Sequence, residues 1–475
     1  MSLVLGIDLG TSFVKVSVMD TDKGKTLVSI QYPETEAKII SKKPGWAEQS
    51  AHIWWQNISE AIHQANASGT YDPTDISAIG IAYQMHGLVL VDRNNKLLRD
   101  AIIWCDSRAT DPLKYPFGNF TAGKLAWVKE FEPKIFRHTA KVLLPGDYIA
   151  MKLTGEVTTT PSALSEGMFW DFKKNSLAER VFYMNGFEKD LIPPVKNVFD
   201  IHGYLKNSIA RKFGFDKGVP VCYKSGDQLN NAVSLNVLKP GEFAATAGTS
   251  GVIYGVTDKP FILTENRVNA FAHVNHSCES KRFGVLLCIN GCGSSYGWMK
   301  KNFAQNLSYA QINDAAASAI AGSDGLQFFP FGNGAERMLN NKTIGAQMLG
   351  LDFNRHKSCH MFRAGQEGIA FSLRFGLDIM KESGIEPKII RAAHSGLFMS
   401  RVFSKIFSDV VQVPVELYET NGAAGAALGA AIGLHIFSLE NAFENQKPIR
   451  RIEPDNHIIY NEYYQLWKQS LASLL

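Results

Sequence analysis

Cysteine is scarce in this sequence, and charge of one sign is never in large excess. The six cysteines, Cys105, Cys222, Cys278, Cys288, Cys292 and Cys359, form no Cys-x-x-Cys pair. Their density is far below that of a disulfide-stapled scaffold. Cys288 and Cys292 have a spacing that suits a metal, but no matching His or Cys pair follows nearby. Free thiols in a reducing, cytoplasmic setting are therefore expected. Lysine and arginine (49) nearly balance aspartate and glutamate (45), for a net charge of +4. So small and dispersed a surplus excludes nucleic acid and anionic membranes as expected partners. Long hydrophobic runs are also missing. Gly422 to Phe437 is apolar and rich in small residues, but it is too short for a membrane span and carries His435, so it reads as a buried helix. Leu3-Val4-Leu5 is interrupted by Asp8 and Gly10 and follows no basic segment, so no signal peptide is expected.

What is present is enough chain for two cores. At 475 residues and 45% hydrophobic, the sequence exceeds the size at which one core stops growing. Lys239-Pro240-Gly241 marks the expected boundary, giving domains 1–240 and 241–475. Short apolar runs alternate with helical periodicity. Ile76 to Ala82, Val219 to Tyr223, Gly284 to Ile289 and Lys388 to Ala392 read as strands. Trp54, Ile58, Ala61, Ile62 and Ala65, and the stretch from 363 to 383, read as helices. This alternation predicts an α/β architecture.

One motif occurs twice. Gly6-Ile7-Asp8-Leu9-Gly10-Thr11-Ser12 precedes the alternating Val14, Val16 and Val18; Thr246-Ala247-Gly248-Thr249-Ser250-Gly251 lies between Phe243-Ala244-Ala245 and Val252-Ile253-Tyr254. Each reads as a strand, a tight turn and a returning strand, with backbone N–H groups and hydroxyls at the tip, a geometry that cradles phosphate. A Gly-Thr-Ser turn alone needs no more than glycine's tolerance of positive φ. Its duplication in both halves points to two related domains gripping a polyphosphate across a cleft.

The acidic residues beside these turns suggest the chemistry. Asp8 ends the first strand, where a carboxylate suits a magnesium ion bridging phosphate oxygens; a turn-stabilising role is the alternative. Asp227 follows Ser225-Gly226 at a strand end, where ligands of α/β sheets gather. It reads as a general base for a substrate hydroxyl, or as a helix N-cap. Met85 and His86, at a polar break after a buried strand, and Asp106, near Arg108, are candidates to contact the acceptor. For His86 a purely structural role competes, and for Asp106 a simple ion pair with Arg108. Gly334-Ala335-Glu336-Arg337 reads as a rigid bracing loop.

In order, these segments resemble the FGGY carbohydrate kinases over nearly the whole chain. The resemblance includes Asp8 to Ser12, Gly45-Trp46-Ala47-Glu48-Gln49, Gln84-Met85-His86-Gly87, Trp104 to Arg108, Phe120 to Trp127, Val142 to Tyr148, Ser225-Gly226-Asp227, Ala247 to Gly251, Gly334 to Arg337 and Gly425 to Ala431. It implies two actin-like (ribonuclease H-like) domains with an interdomain cleft. ATP and Mg2+ are the implied cofactors, Asp227 the catalytic base, and a ketopentose, D-xylulose, the expected acceptor. Gln-Met-His-Gly is the form carried by ketopentose kinases of the family; the glycerol kinases have an Arg-Glu pair there.

The expected site thus comprises Asp227 as base and Asp8 for the metal. Met85, His86, Asp106, Asp227 and Gln228 face the sugar. Thr11, Ser12, Gly248, Thr249, Ser250, Ser395 and Gly396 bind the nucleotide. Three departures stand out: Asp227-Gln228 replaces Asp-Asn, Ala392-Ala393-His394-Ser395-Gly396 replaces a Gly-Gly-Gly-Ala adenine loop, and Ala163 stands where an Asp is common. The partners expected are a small sugar and ATP, with a homodimer left open. Another ketose, a polyol or an aldonate as acceptor, an actin-like ATPase, and a non-catalytic sugar sensor are the competing readings.

Overall fold

The alternation of Val14, Val16 and Val18 folds as its period dictates. In the computed structural model, which describes residues 2–109, 111, 114, 115, 118, 120–172, 174–259 and 267–475, these residues lie on β2 (Val14–Asp20), antiparallel to β1 (Leu3–Leu9). β3 (Lys25–Tyr32) pairs with β2. β4 (Ile76–Tyr83) runs parallel to β1, and β6 (Pro220–Gly226) parallel to β4, with the short β5 (Gly203–Tyr204) at the edge. The sheet order is β5-β6-β4-β1-β2-β3.

Period-2 alternation gives this sheet two apolar faces. Leu3, Leu5, Ile7 and Leu9 share a core with Trp54, Ile58, Ala61 and Ile62 of helix Ala51–Ala67. Val4, Ala78 and Cys222 share another with Ala427, Ala430 and Ala431 of helix Gly422–Gly433. Strands covered on both faces carry continuous apolar runs, which is why Ile76–Tyr83 shows no polar alternation. The second helix comes so close that only glycine fits beneath it. A Cβ on Gly6 would lie 1.9 Å from the Ala423 carbonyl oxygen, and one on Gly80 1.9 Å from that of Ala426. Gly80→Val is therefore expected to destabilise the fold by about 3 kcal/mol through overpacking. A lowered urea midpoint with unchanged slope is the expected reading; an unchanged midpoint would refute the close helix–strand contact.

The chain forms two compact units. One comprises Met1–Asn236, Phe271–Lys281 and Asn421–Gln446; the other comprises Val237–Ala270, Arg282–Thr420 and Lys447–Leu475. The first break falls near the expected boundary at 240. The division is nevertheless not the simple two-block one expected from sequence. The Ala/Gly-rich helix and the 271–281 segment come from the second half of the chain and cluster with the first unit. Gly6 and Gly80 supply the physical reason for the helix, since together they leave a groove that fits its small side chains.

The second unit repeats the strand plan. β7 (Glu242–Ala247) and β8 (Gly251–Thr257) form the second hairpin, β9 (Phe283–Ile289) joins β8 antiparallel, and β10 (Ile389–Ala393) and β11 (Val415–Tyr418) follow parallel to β7. β12 (Arg450–Ile452) closes the edge, so the sheet contains the run β9-β8-β7-β10-β11-β12. Its antiparallel trio followed by parallel strands matches β3-β2-β1-β4-β6 of the first unit, so the repeated hairpin belongs to a repeated sheet. Helix Ser358–Glu382 is buried along most of its length. Helix His457–Leu474 sends Tyr464, Trp467 and Leu471 into the same core, where Trp467 stacks on Phe329 at 5.0 Å. Among the described residues, no helix is long and apolar enough to cross a membrane. Cys292 is buried and Cys288 partly so; no metal-binding group of three or more His, Cys, Asp or Glu is present among the described residues.

Candidate active site

Parallel pairing brings three strand ends together in the first unit. Tyr83 is in register with Leu9 on β1 and with Gly226 on β6. The residues at these carboxyl edges, Asp8, Gln84 to His86 and Asp227, therefore gather on one rim of the sheet, the place where α/β folds bind ligands.

Asp8 reaches that rim beside the start of helix Gly422–Gly433. A Cβ on Gly422 would lie 2.1 Å from its Oδ2, so glycine there admits the carboxylate. The helix N-terminus, capped by Asn421 through the Ala424 N–H, favours negative charge. Burial nonetheless raises the pKa of Asp8, with Lys15 opposing. A cation at this carboxylate would relieve the same strain.

Asp227 is the first residue of helix Asp227–Ser234, with Gly226 as N-cap. It is thus inside the helix rather than its cap. Burial pushes its carboxyl up to about 7, the charge of Asp8 adds to this, and hydrogen bonds from the Gln228 backbone and side chain oppose it. Gln228 offers a further signal: its Oε1 is buried and has no hydrogen-bond partner. An orphaned buried acceptor is costly unless a ligand donates to it.

Met85 and His86 lie against this carboxylate's strand. Met85 is buried and fills the space that a Cβ on Gly226 would occupy, with its Cγ 2.6 Å from that position. His86 has φ 60°, a left-handed conformation uncommon outside glycine, and its ring meets Phe120 edge-on and Phe271 at a tilt.

Asp106 requires correction as a sugar contact, and so does the hydroxyl of Thr11, though not its backbone, as a phosphate contact. Both oxygens of Asp106 are taken, by the Ala47 N–H at 2.5 Å and by the backbone and guanidinium of Arg108. Arg108 also pairs with Glu48 at 2.8 Å and lies 3.9 Å from the Trp46 ring centroid. Asp106 is therefore a brace for the 45–48 segment, and has no free edge for a sugar. The Thr11 hydroxyl donates to Gln84 Oε1 and accepts from Trp104 Nε1, so its one proton is not available to a phosphate. Its role is to tie the first hairpin, through Gln84 and Gln49, to buried Trp54. Ser12 closes the turn region by accepting the Ala37 N–H on its carbonyl.

The nucleotide candidates Gly248, Thr249, Ser250, Ser395 and Gly396 belong to the second unit. Gly248 and Thr249 are exposed at the tip, and their carbonyls accept the Gly293 and Ser294 N–H groups at 2.8 and 3.1 Å. Gly396, at φ 57°, packs so closely that a Cβ would lie 2.3 Å from the Ala247 carbonyl oxygen and 3.3 Å from Gly248 Cα. The structure thus brings the hairpin tip and the Ser395-Gly396 turn side by side. His394, exposed, lies 4.0 Å from Glu419. The 333–336 loop braces the neighbouring strand end: buried Glu336 accepts the Asn290 N–H, and Asn333 Nδ2 donates to the Asn290 carbonyl and to Ser294 Oγ. Burial pushes Glu336 up to about 7.

Sequence reasoning missed two residues of this rim. Glu166 ends the short helix Pro161–Glu166, and Lys124 lies in helix Thr121–Phe131; both are fully buried around His86. Only the oddity of a charged residue among apolar neighbours signalled either one.

Two hairpin-tipped sheets that share one run of strands, with acidic strand ends in one and a glycine-hydroxyl tip in the other, define the actin-like phosphotransferase class. This chain belongs to the FGGY family of carbohydrate kinases. The family's N-terminal domain model matches residues 3–115 and 113–234, and its C-terminal domain model residues 243–434. Curated relatives include a xylulose kinase of Bacillus subtilis, 30% identical over 94% of this chain and 91% of the relative, and a xylulose kinase of Escherichia coli, 30% identical over 90% of this chain and 89% of the relative. Among solved structures, the ligand-bound xylulose kinase of Lactobacillus acidophilus shares the fold, with a TM-score of 0.90 at 21% identity, covering 100% of this chain and 98% of that one.

Proposed function

We propose that this kinase transfers the terminal phosphoryl group of ATP to D-xylulose, giving ADP and D-xylulose 5-phosphate. The observation that carries the reading is the strand-end carboxylate Asp227, pushed up to about 7 beside an orphaned amide oxygen of Gln228. A base needs a pKa near the working pH to accept a hydroxyl proton efficiently. The orphaned oxygen, an acceptor only, calls for a ligand rich in hydroxyl donors. The names carried by the curated relatives support a ketopentose.

The placement supports the following residue roles. Asp227 takes the proton of the attacking hydroxyl. Gln228 Oε1, His86 and Met85 orient the sugar, two polar groups and one apolar wall. Gly248, Thr249, Ser250, Ser395 and Gly396 hold the nucleotide through backbone N–H groups and hydroxyls, as do Ser12 and the backbone of Thr11. Mg2+ fits Asp8, a desolvated carboxylate, because magnesium keeps waters and phosphate oxygens in its shell. When bound, it neutralises charge on the phosphates. Positioning and charge neutralisation supply most of the acceleration in phosphoryl transfer. Six free cysteines suit a reducing compartment, the cytoplasm.

An acceptor panel in a coupled ADP assay tests this. D-xylulose is expected to give the highest kcat/KM among ketoses, polyols and aldonates. A polyol or an aldonate preferred over D-xylulose would replace the acceptor. ATP hydrolysis indifferent to every sugar would replace the kinase reading with an actin-like ATPase, and sugar binding without ADP formation would leave a sensor.

A further inference from the structure

Residue 86 is held at three points, and Glu166 provides two of them. The Glu166 carboxyl accepts the His86 backbone N–H at Oε2, 3.3 Å, and its backbone carbonyl faces His86 Nδ1 at 3.0 Å. Lys124 Nζ supplies the third by donating to the His86 carbonyl at 2.7 Å. Tyr83, at the end of β4, in turn fixes Glu166 by donating its hydroxyl to Oε1 at 2.8 Å. Glu166 Oε2 also lies 3.2 Å from the position of a Cβ on Gly226, which places the carboxyl against the residue preceding Asp227.

The arrangement has a chemical consequence. A carbonyl oxygen only accepts, so Nδ1 must carry a proton. Left-handed conformations of non-glycine residues persist where the surroundings over-determine them, and they cluster at ligand clamps. We infer that Glu166 is a positioning residue, its carboxyl holding the strained His86 backbone and its carbonyl the Nδ1–H tautomer, so that together they set how residue 86 meets the sugar. The inference rests on the assignment of His86 to the acceptor site. Burial, the largest cause, raises the Glu166 pKa well above the usual carboxylate range, and nearby Asp227 adds to this; a neutral acid at this position is mimicked by glutamine.

The test combines a spectroscopic and a kinetic reading. With 15N-histidine-labelled enzyme at pH 8 and no sugar present, two-bond nitrogen–proton correlation reports each tautomer, His86 being assigned from His86→Asn. Wild type is expected to show Nδ1–H at His86. Glu166→Ala keeps the backbone carbonyl, and with it the tautomer, but removes the acceptor of the His86 N–H; it is expected to raise the ketose KM by about tenfold, with kcat within about threefold and the ATP KM unchanged. Glu166→Gln retains an acceptor for the His86 N–H, and its amide N–H meets the Tyr83 hydroxyl, which then accepts instead of donating. It is expected to keep the tautomer and a ketose KM within about threefold of wild type. An Nε2–H tautomer in wild type, an unchanged ketose KM in Glu166→Ala, or ketose and ATP KM values rising together would each overturn the assignment. If Glu166→Ala does not fold, the wild-type tautomer and the Glu166→Gln kinetics still decide. Absence of any ketose phosphorylation by wild type would instead strike the functional reading, and the sugar-free spectrum separates the two failures.

Discussion

Asp227→Ala is expected to lower ketose phosphorylation by about two to four orders of magnitude while the protein stays folded, because the hydroxyl loses its proton acceptor but retains its binding groups. The wild-type pH profile carries the same information. A base pushed up to about 7 must be ionised to work, so kcat/KM is expected to rise with pH through about 7 and level off above it. The alanine variant is expected to lose that limb. Near-normal turnover in Asp227→Ala, or a wild-type profile flat between pH 6 and 8, would eliminate the base.

Stability should respond in the opposite sense. Folding raises the Asp227 pKa from 3.8 to about 7, so between those values the folded state binds more protons than the unfolded one, and stability falls as pH rises. Below the lower value both states are protonated and the group contributes nothing. Asp227→Asn is therefore expected to melt higher than wild type at pH 8, with the gain shrinking toward pH 4. A variant that is slow yet more stable at pH 8 is the signature of a carboxylate kept for chemistry at the expense of the fold. A uniform loss of stability would mark Asp227 as structural.

Asp8→Asn is expected to reduce activity at ordinary Mg2+ concentrations by about two orders of magnitude, through the loss of charge stabilisation at the phosphates. It should also raise the Mg2+ concentration needed for half-maximal rate. Asparagine keeps the shape beside Gly422 and removes the charge, and burial already disfavours that charge in the free protein. Sugar affinity, measured by direct binding without nucleotide, should stay within about threefold of wild type. Equal loss of sugar binding and of the Mg2+-dependent rate would assign Asp8 to the turn alone.

Much of the fold was legible in the chain because periodicity is a local property. Val14, Val16 and Val18 announced a hairpin, and the uninterrupted Ile76–Tyr83 run a strand covered on both faces. The Gly-Thr-Ser repeat announced a duplicated sheet. The strand-end placement of Asp8, Met85, His86, Asp227 and Gln228 was legible because a glycine or polar break at a strand end is visible in one dimension.

Other features were not legible, since they depend on what lies across the sheet. Asp106 and Arg108 looked like an acceptor contact or an ion pair with equal warrant. Only the Ala47 N–H and Glu48, brought in by the 45–48 segment, showed that no edge of the carboxylate is free. The Thr11 hydroxyl looked free until Gln84 and Trp104 were seen around it.

By itself, then, the sequence determined the α/β class, the repeated hairpin, the family and the strand-end acids, because spacing and residue type encode these directly. The tertiary structure alone decided that the Ala/Gly helix joins the first sheet, that Asp227 begins its helix under a raised pKa, and that Glu166 and Lys124 grip His86. Desolvation and hydrogen-bond saturation are set by neighbours far away in the chain, and no local pattern records who those neighbours are.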